Sequence, residues 1–174
     1  MTPGQRVWAL QTAVFSALVI VIAGVWQSGQ QEIRRHEVED ILQPIAARLE
    51  ENRNIVESLK RDGLAESESA ILDSYMQRIR KDGAPKNSAM KQRIDALVDN
   101  NTVIAALLST YAPRARTQGF RAAADKFRDY ASSFRDRWQS VFEIFMAGGN
   151  LPKTGPAFPA ELAEAVSAEI ALAR

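Results

Sequence analysis

Residues 120–145 read FRAAADKFRDYASSFRDRWQSVFEIF, and this stretch decides the fold. Phe120, Ala124, Phe127, Ala131, Phe134, Trp138, Val141 and Phe145 recur alternately four and three residues apart, which places them on one stripe of a helix. Arg121, Asp125, Arg128, Ser132, Arg135, Asp136, Gln139 and Glu143 fall off that stripe. A stripe that holds heptad phase for about seven turns faces a partner along its whole length, as in a helical bundle. Large aromatics sharing the stripe with alanines predict a wide core, not a thin two-stranded coil. The seam of Phe120, Phe127, Phe134, Trp138 and Phe145 therefore reads as core. The other reading is the lining of an apolar cavity, since bundles house ligands between helices.

The same periodicity runs upstream. Val38, Ile41, Leu42, Ile45, Leu49, Ile55, Val56 and Leu59 predict an amphipathic helix over about 30–60, with Pro44 kinking or breaking it and Asp62-Gly63 closing it. Ile71, Leu72, Tyr75, Met76 and Ile79 predict a second helix over 67–81, stopped by Asp82-Gly83 with the same chemistry as Asp62-Gly63. Pro85 to Ser88 reads as a turn, with Asn87 or Ser88 as the next N-cap. A third helical stretch carries Met90, Ile94, Leu97, Val98, Ile104, Leu107, Leu108 and Tyr111, and Asp99-Asn100-Asn101-Thr102 is a place for it to be interrupted and recapped. Downstream, Gly148-Gly149 ends the long helix. A proline-punctuated connector then leads to a last helix over 160–173 with Leu162, Val166, Ile170 and Leu172 on its apolar side. No segment alternates as a strand does. The expected class is all-α: an antiparallel bundle of about four helices plus a short C-terminal helix, with 29–147 as the bundle, 148–159 as the connector and 160–174 as the terminal helix.

Residues 1–28 read differently. Trp8 to Trp26, WALQTAVFSALVIVIAGVW, carries no charge over 19 residues. A helix of that length spans roughly 28 Å, the hydrocarbon thickness of a bilayer. Trp8 and Trp26 stand at its ends as interface anchors. The expectation is one N-terminal transmembrane helix, an uncleaved signal-anchor. The stretch is long for a signal peptide, and no convincing small-x-small cleavage site precedes Gln30. Ala9, Ala13, Ala17 and Gly24 form a small-residue row suited to close helix packing in lipid, although alanine is common in such helices. Arg6 before the segment and Arg34 and Arg35 after it leave the positive-charge rule undecided. The usual outcome for an uncleaved anchor puts the domain outside the cytoplasm, in the periplasm of a bacterium; a cytoplasmic domain is the alternative.

Charge and composition exclude several functions. All 21 Asp and Glu and all but one of the 22 Lys and Arg follow residue 27, so the domain is electrically neutral and offers no footprint for nucleic acid. Residues 32–73 hold eleven acids against six bases, whereas 78–93 hold six bases against one acid and 113–137 seven against three. Opposed fields of that kind favour packing of the first helices on the later ones, or a basic face turned to a partner or to anionic lipid. With no cysteine there are no disulfides, iron–sulfur clusters or thiolate zinc sites, and His36 is the sole histidine.

Local motifs dissolve on inspection. Ser88-Ala89-Met90-Lys91 and Lys153-Thr154-Gly155 imitate the S-x-x-K and K-T-G elements of acyl-transfer enzymes. Those need a strand and an S-D-N element that are missing here, so Ser88 reads as a helix cap. His36-Glu37-Val38-Glu39-Asp40 is not H-E-x-x-H, and the paired E-x-x-H elements of a di-metal bundle are absent. Asn100-Asn101-Thr102 matches a glycosylation sequon. Leu151 and Phe158 mark the connector either as a docking loop or as the tie that returns the last helix to the bundle, with Phe158 packing inward.

No catalytic, cofactor or metal residue is assigned. The expected function is non-enzymatic: a membrane-anchored accessory or scaffold subunit that docks on other proteins or on its own copies at the bilayer surface. The alternative is an extracytoplasmic sensory or ligand-binding bundle.

Overall fold

A computed structural model of the chain describes residues 25–64, 70–150 and 157–173, and every regular element among them is helical. Helix α1 (25–37) passes through a π-helical turn, Val38–Leu42, into α2 (Gln43–Arg61); then follow α3 (Ile71–Asp82), α4 (Ser88–Tyr111), α5 (Gln118–Met146) and α6 (Glu161–Ala173). Short 3-10 turns, Pro85–Asn87 and Ala112–Arg114, precede and follow α4.

Pro44 does not break the first helix. Proline offers no N–H to the carbonyl four residues back, and its ring crowds that carbonyl. The chain responds by widening one turn ahead of it: the Gln43 N–H donates to the Val38 carbonyl, and the backbone stays right-handed at both junctions. The end of α2 follows the expected chemistry. Gly63 takes φ 70°, its N–H reaches the Lys60 carbonyl, the Leu64 N–H reaches Leu59, and Leu64 folds into the core behind them. The stop at Asp82-Gly83 is different, because Gly83 leaves at φ 83°, ψ 154° and donates to Ile79. The tetrapeptides ending in Gly63 and Gly83 resemble each other in sequence and not in geometry.

The ring of four packed helices is α2, α4, α5 and α6, each beside the next and α6 returning to α2. This corrects the expected assignment. The C-terminal helix is a stave of the bundle, while the short α3 lies outside the ring, chiefly against α5. Contacts of 48 with 100, 58 with 93, 95 with 138 and 126 with 161 run neighbouring staves antiparallel. One core threads them, from Val38, Leu42 and Ile45 through Ile94, Leu97 and Ile104 to Leu162 and Val166. The α5 seam is buried from Phe120 to Val141, with Ala123 and Tyr130 added, and Phe145 is half-buried at its far end.

In α4 the expected interruption is absent, and of the two cap candidates Asn87 takes the position and Ser88 does not. Residues 99–102 are helical throughout, so nothing interrupts or recaps there. Ser88 is the first helical residue and is exposed, while Asn87 holds the cap position and turns its amide back to the Gly83 carbonyl at 2.8 Å. The opposed charge fields do meet: Arg93 pairs with Asp62 at 2.5 Å, Arg114 with Glu37 at 3.5 Å and Arg137 with Asp73 at 3.4 Å. Partly exposed pairs of this kind contribute little singly, but they agree in direction.

Helix α1 stands apart. From 25 to 36 every side chain but that of Gln30 is exposed, so this stretch projects from the bundle as a stalk.

Candidate functional site

The sequence-predicted site residues fall into three groups. Trp8, Ala9, Ala13, Ala17, Gly24 and Leu151 lie outside the described residues. Among the described residues no helix is long and apolar enough to cross a membrane. Trp26 sits on the stalk at 67% exposure beside Val25 at 70%. The seam residues are gathered into the core, where Tyr75 packs edge-on against Trp138 and Tyr111 against Phe120, both at 5.3 Å. Phe158 is half-buried with its ring edge-on to Phe127 and Tyr130, 6.0 and 5.4 Å away.

A groove of about 480 Å³ runs along the α2–α6 seam. Its width follows from sequence. On this side α6 presents only Ala163 and Ser167, with Ala160 just ahead of it, too small to fill the space against α2. Leu49, Val56 and Phe158 give it an apolar lining, and Glu50, Arg53, Glu57 and Lys60 form a rim in which neighbouring charges pair along α2.

At the base of the groove Asn52, 3% exposed, crosses to α4 and donates to Asn101 Oδ1 at 2.7 Å. One turn away Arg48 donates to Asn100 Oδ1 at 2.6 Å. Asn52 Oδ1, Asn100 Nδ2 and Asn101 Nδ2 remain buried without hydrogen-bond partners. Because Asn100 is itself 4% exposed, the acceptor amide of the sequon is enclosed in the folded chain, although Thr102 is exposed.

A second polar node holds the end of the bundle next to the stalk. Glu169 of α6 is fully buried and accepts four hydrogen bonds: from the Tyr111 hydroxyl at 3.0 Å, the Arg116 N–H at 3.2 Å, and the Thr117 N–H and hydroxyl, both at 2.7 Å. Thr117 also caps α5, its Oγ1 accepting from the Phe120 N–H. Burial pushes the carboxyl pKa of Glu169 up, but these donors outweigh it and hold the carboxyl below the usual range. Burial, followed by the bond to Glu169 and the nearby charges of Glu169 and Glu37, pushes the Tyr111 hydroxyl up to about 12 against the counter-effect of Arg116. With its donors supplied by one turn and one helix end, Glu169 is a structural clasp.

Sequence reasoning passed over Asn52 and Glu169 and took Asn101 only as part of a sequon and of a helix interruption, yet each stands at a heptad position: Asn52 between Leu49 and Val56, Asn101 between Leu97 and Ile104, Glu169 after Leu162 and Val166. A polar residue in phase with a core stripe was the available signal.

The motif residues are dispersed. Lys91 pairs with Asp95 at 2.7 Å, Asp95 also accepts from the Trp138 indole at 2.9 Å, and residues 153–155 lie outside the described residues. His36 and Asp40 face each other on the exposed side of the helix at 3.3 Å. Among the described residues no three His, Asp or Glu side chains group as metal ligands would. No protein-family model, curated protein or solved structure matches this chain.

Proposed function

We propose that the chain is a membrane-anchored, non-enzymatic accessory or scaffold subunit whose helical bundle docks on other proteins at the bilayer surface. Residues 8–26 are its single transmembrane anchor, and the bundle lies on the extracytoplasmic side, the periplasmic one in a bacterium. The observation that carries this reading is the stalk. The uncharged run leads directly into a helix that stands clear of the bundle, and its first described side chains, Val25 and Trp26, are exposed at 70% and 67%. Two large apolar groups in that position suit the interfacial zone of a bilayer. The test is extraction of the full-length protein from its native membrane in mild detergent, with identification of what co-purifies. A stoichiometric heterologous partner supports the subunit reading; release of the protein by alkaline wash without detergent refutes the anchor.

A second reading, a ligand-binding or sensory bundle, is favoured by the groove. Its volume lies within the range of small-molecule sites, and a polar group near an apolar lining is their usual composition. Ala163 is exposed on its wall, so Ala163→Trp fills the groove without disturbing the core. On this reading a ligand raises the melting temperature of the native chain and not of the variant. Equal responses, or none across a broad set of small amphiphiles, defeat it.

A further inference from the structure

The stalk has an apolar side of its own. Val25, Gly29 and Ile33 are spaced four residues apart, with Trp26 beside them, and Ile33 is 54% exposed. At about 100° per residue this row lies across the helix from Val38, the first side chain buried in the bundle. A Cβ built at Gly29 meets nothing within 4 Å, so a second helix has room to come close there.

Lipid accounts for only part of this face. If Trp26 lies at the interface, Ile33 stands ~10 Å further out. The headgroup layer is roughly 5–8 Å deep on each side, so Ile33 rises above it and is followed by Arg34 and Arg35. The 24 residues preceding the stalk hold nearly all of the uncharged run. A bilayer holding that run aligns two copies in parallel and confines them to one plane, which raises their effective concentration. In a parallel two-fold pair each residue of the row meets its own counterpart. The side of the stalk marked by the buried Val38 then points away from the paired stalk.

We infer that the stalk face Val25–Trp26–Gly29–Ile33 is a self-association surface, and that its occupant is the same face of a second copy of this chain. The inference rests on the proposed membrane anchor. It makes the scaffold bivalent, with two grooves and two bundles held by paired stalks.

The chain contains no cysteine, so single cysteines report without background. Gly29→Cys and Ile33→Cys lie on the face, while Gln31→Cys and Arg35→Cys lie on the Val38 side of the same exposed helix. Each full-length variant, in its native membrane and in phosphatidylcholine vesicles with lipid in large excess, is treated with a short bis-maleimide. The expected result is covalent dimer at positions 29 and 33, several-fold above that at 31 and 35. Equal yields at all four positions mean random collision, and they overturn the inference, as does an absence of dimer at 29 and 33. An adduct to a different protein at position 33 in the native membrane also overturns it by naming another occupant. Alkaline washing of the same vesicles reads the anchor separately. Retained protein without face-specific dimer sinks the pairing alone. Washed-off protein that still crosslinks at 29 and 33 sinks the anchor and leaves the pairing standing.

Discussion

Glu169→Gln preserves the volume of the side chain and removes its charge, which isolates what the buried clasp contributes. The amide oxygen can still accept from the N–H and hydroxyl of Thr117, whose bonds are both 2.7 Å. The amide nitrogen then faces the Tyr111 hydroxyl, which can rotate to accept, and the Arg116 N–H, which cannot. One part-buried donor left unsatisfied costs ~1–3 kcal/mol, and loss of charge assistance at the remaining bonds adds ~1 kcal/mol. The expected loss at neutral pH is thus about 2–4 kcal/mol, a large part of the roughly 5–15 kcal/mol that holds a domain folded. In a chain of this size it lowers Tm by roughly 5–15 °C. The pH dependence fixes the cause. The folded-state pKa of Glu169 lies below its ordinary 4.5, so its contribution is fully present above that value and is lost as pH falls through the folded pKa. Wild type and variant therefore differ by a constant amount from pH 7 down to about 5, and converge in more acid solution. Urea unfolding followed by circular dichroism, in one mild detergent across that range, measures the gap. A gap under ~0.5 kcal/mol at pH 7 refutes the reasoning, and so does one that fails to narrow below the carboxylate range.

Tyr111→Phe keeps the ring against Phe120 and removes one of the four donors to Glu169, so it costs ~1 kcal/mol in the same assay, less than Glu169→Gln. Asn52→Leu or Asn101→Leu alone strands the other amide and costs ~1–3 kcal/mol, whereas the double variant returns to within ~1 kcal/mol of wild type. A double-mutant cycle by urea unfolding checks this, and additive losses contradict it. Gly63→Ala costs ~1–2 kcal/mol from backbone strain at φ 70°, because the new Cβ meets only Arg78 Nη2, at an ordinary 3.6 Å. Gly119→Ala, in the first turn of α5 with nothing within 4 Å, gains up to ~1 kcal/mol. Equal melting temperatures for those two glycine variants would show that the Gly63 geometry is not what ends α2.

The all-helical class was legible because heptad phase is a long signal. The α5 stripe specifies one buried side over 29 residues, and no local preference competes with it. The order of the staves was not legible. Apolar stripes say that a helix packs, not on which neighbour, and α3, with five buried apolar residues, has the stronger stripe of the two short helices. Length does not separate them either, at 12 and 13 residues; what does is where the chain carries each, α3 chiefly against α5 and α6 between α5 and α2. The π turn at Pro44 was half legible, since proline announces a lost hydrogen bond but not how the chain absorbs it. The groove was hidden because it arises from what α6 lacks. Ala160, Ala163 and Ser167 signal nothing until they are seen facing α2.

The polar residues inside the stripes carry a further consequence for how this fold is specified. Apolar side chains recur at three- and four-residue spacing in every stave, and a slide of one helix by a heptad would match apolar group to apolar group again. Such seams supply stability without fixing axial position. Asn52 against Asn101, Trp138 against Asp95 and Glu169 against the Tyr111–Thr117 turn tie α2 to α4, α4 to α5 and α6 to the α4–α5 junction. A slide at the Asn52–Asn101 or Glu169 join would leave a buried amide or carboxylate facing hydrocarbon, a penalty of several kcal/mol for an ionised group, and one at Trp138 would strand its indole N–H. The hypothesis that these contacts set register separates stability from uniqueness in a single molecule. Asn52→Leu with Asn101→Leu keeps its unfolding free energy but gains a second α2–α4 register, read as doubled or broadened backbone resonances on both helices. One sharp set of resonances, at unchanged positions outside the substituted residues, would assign register to the apolar packing instead.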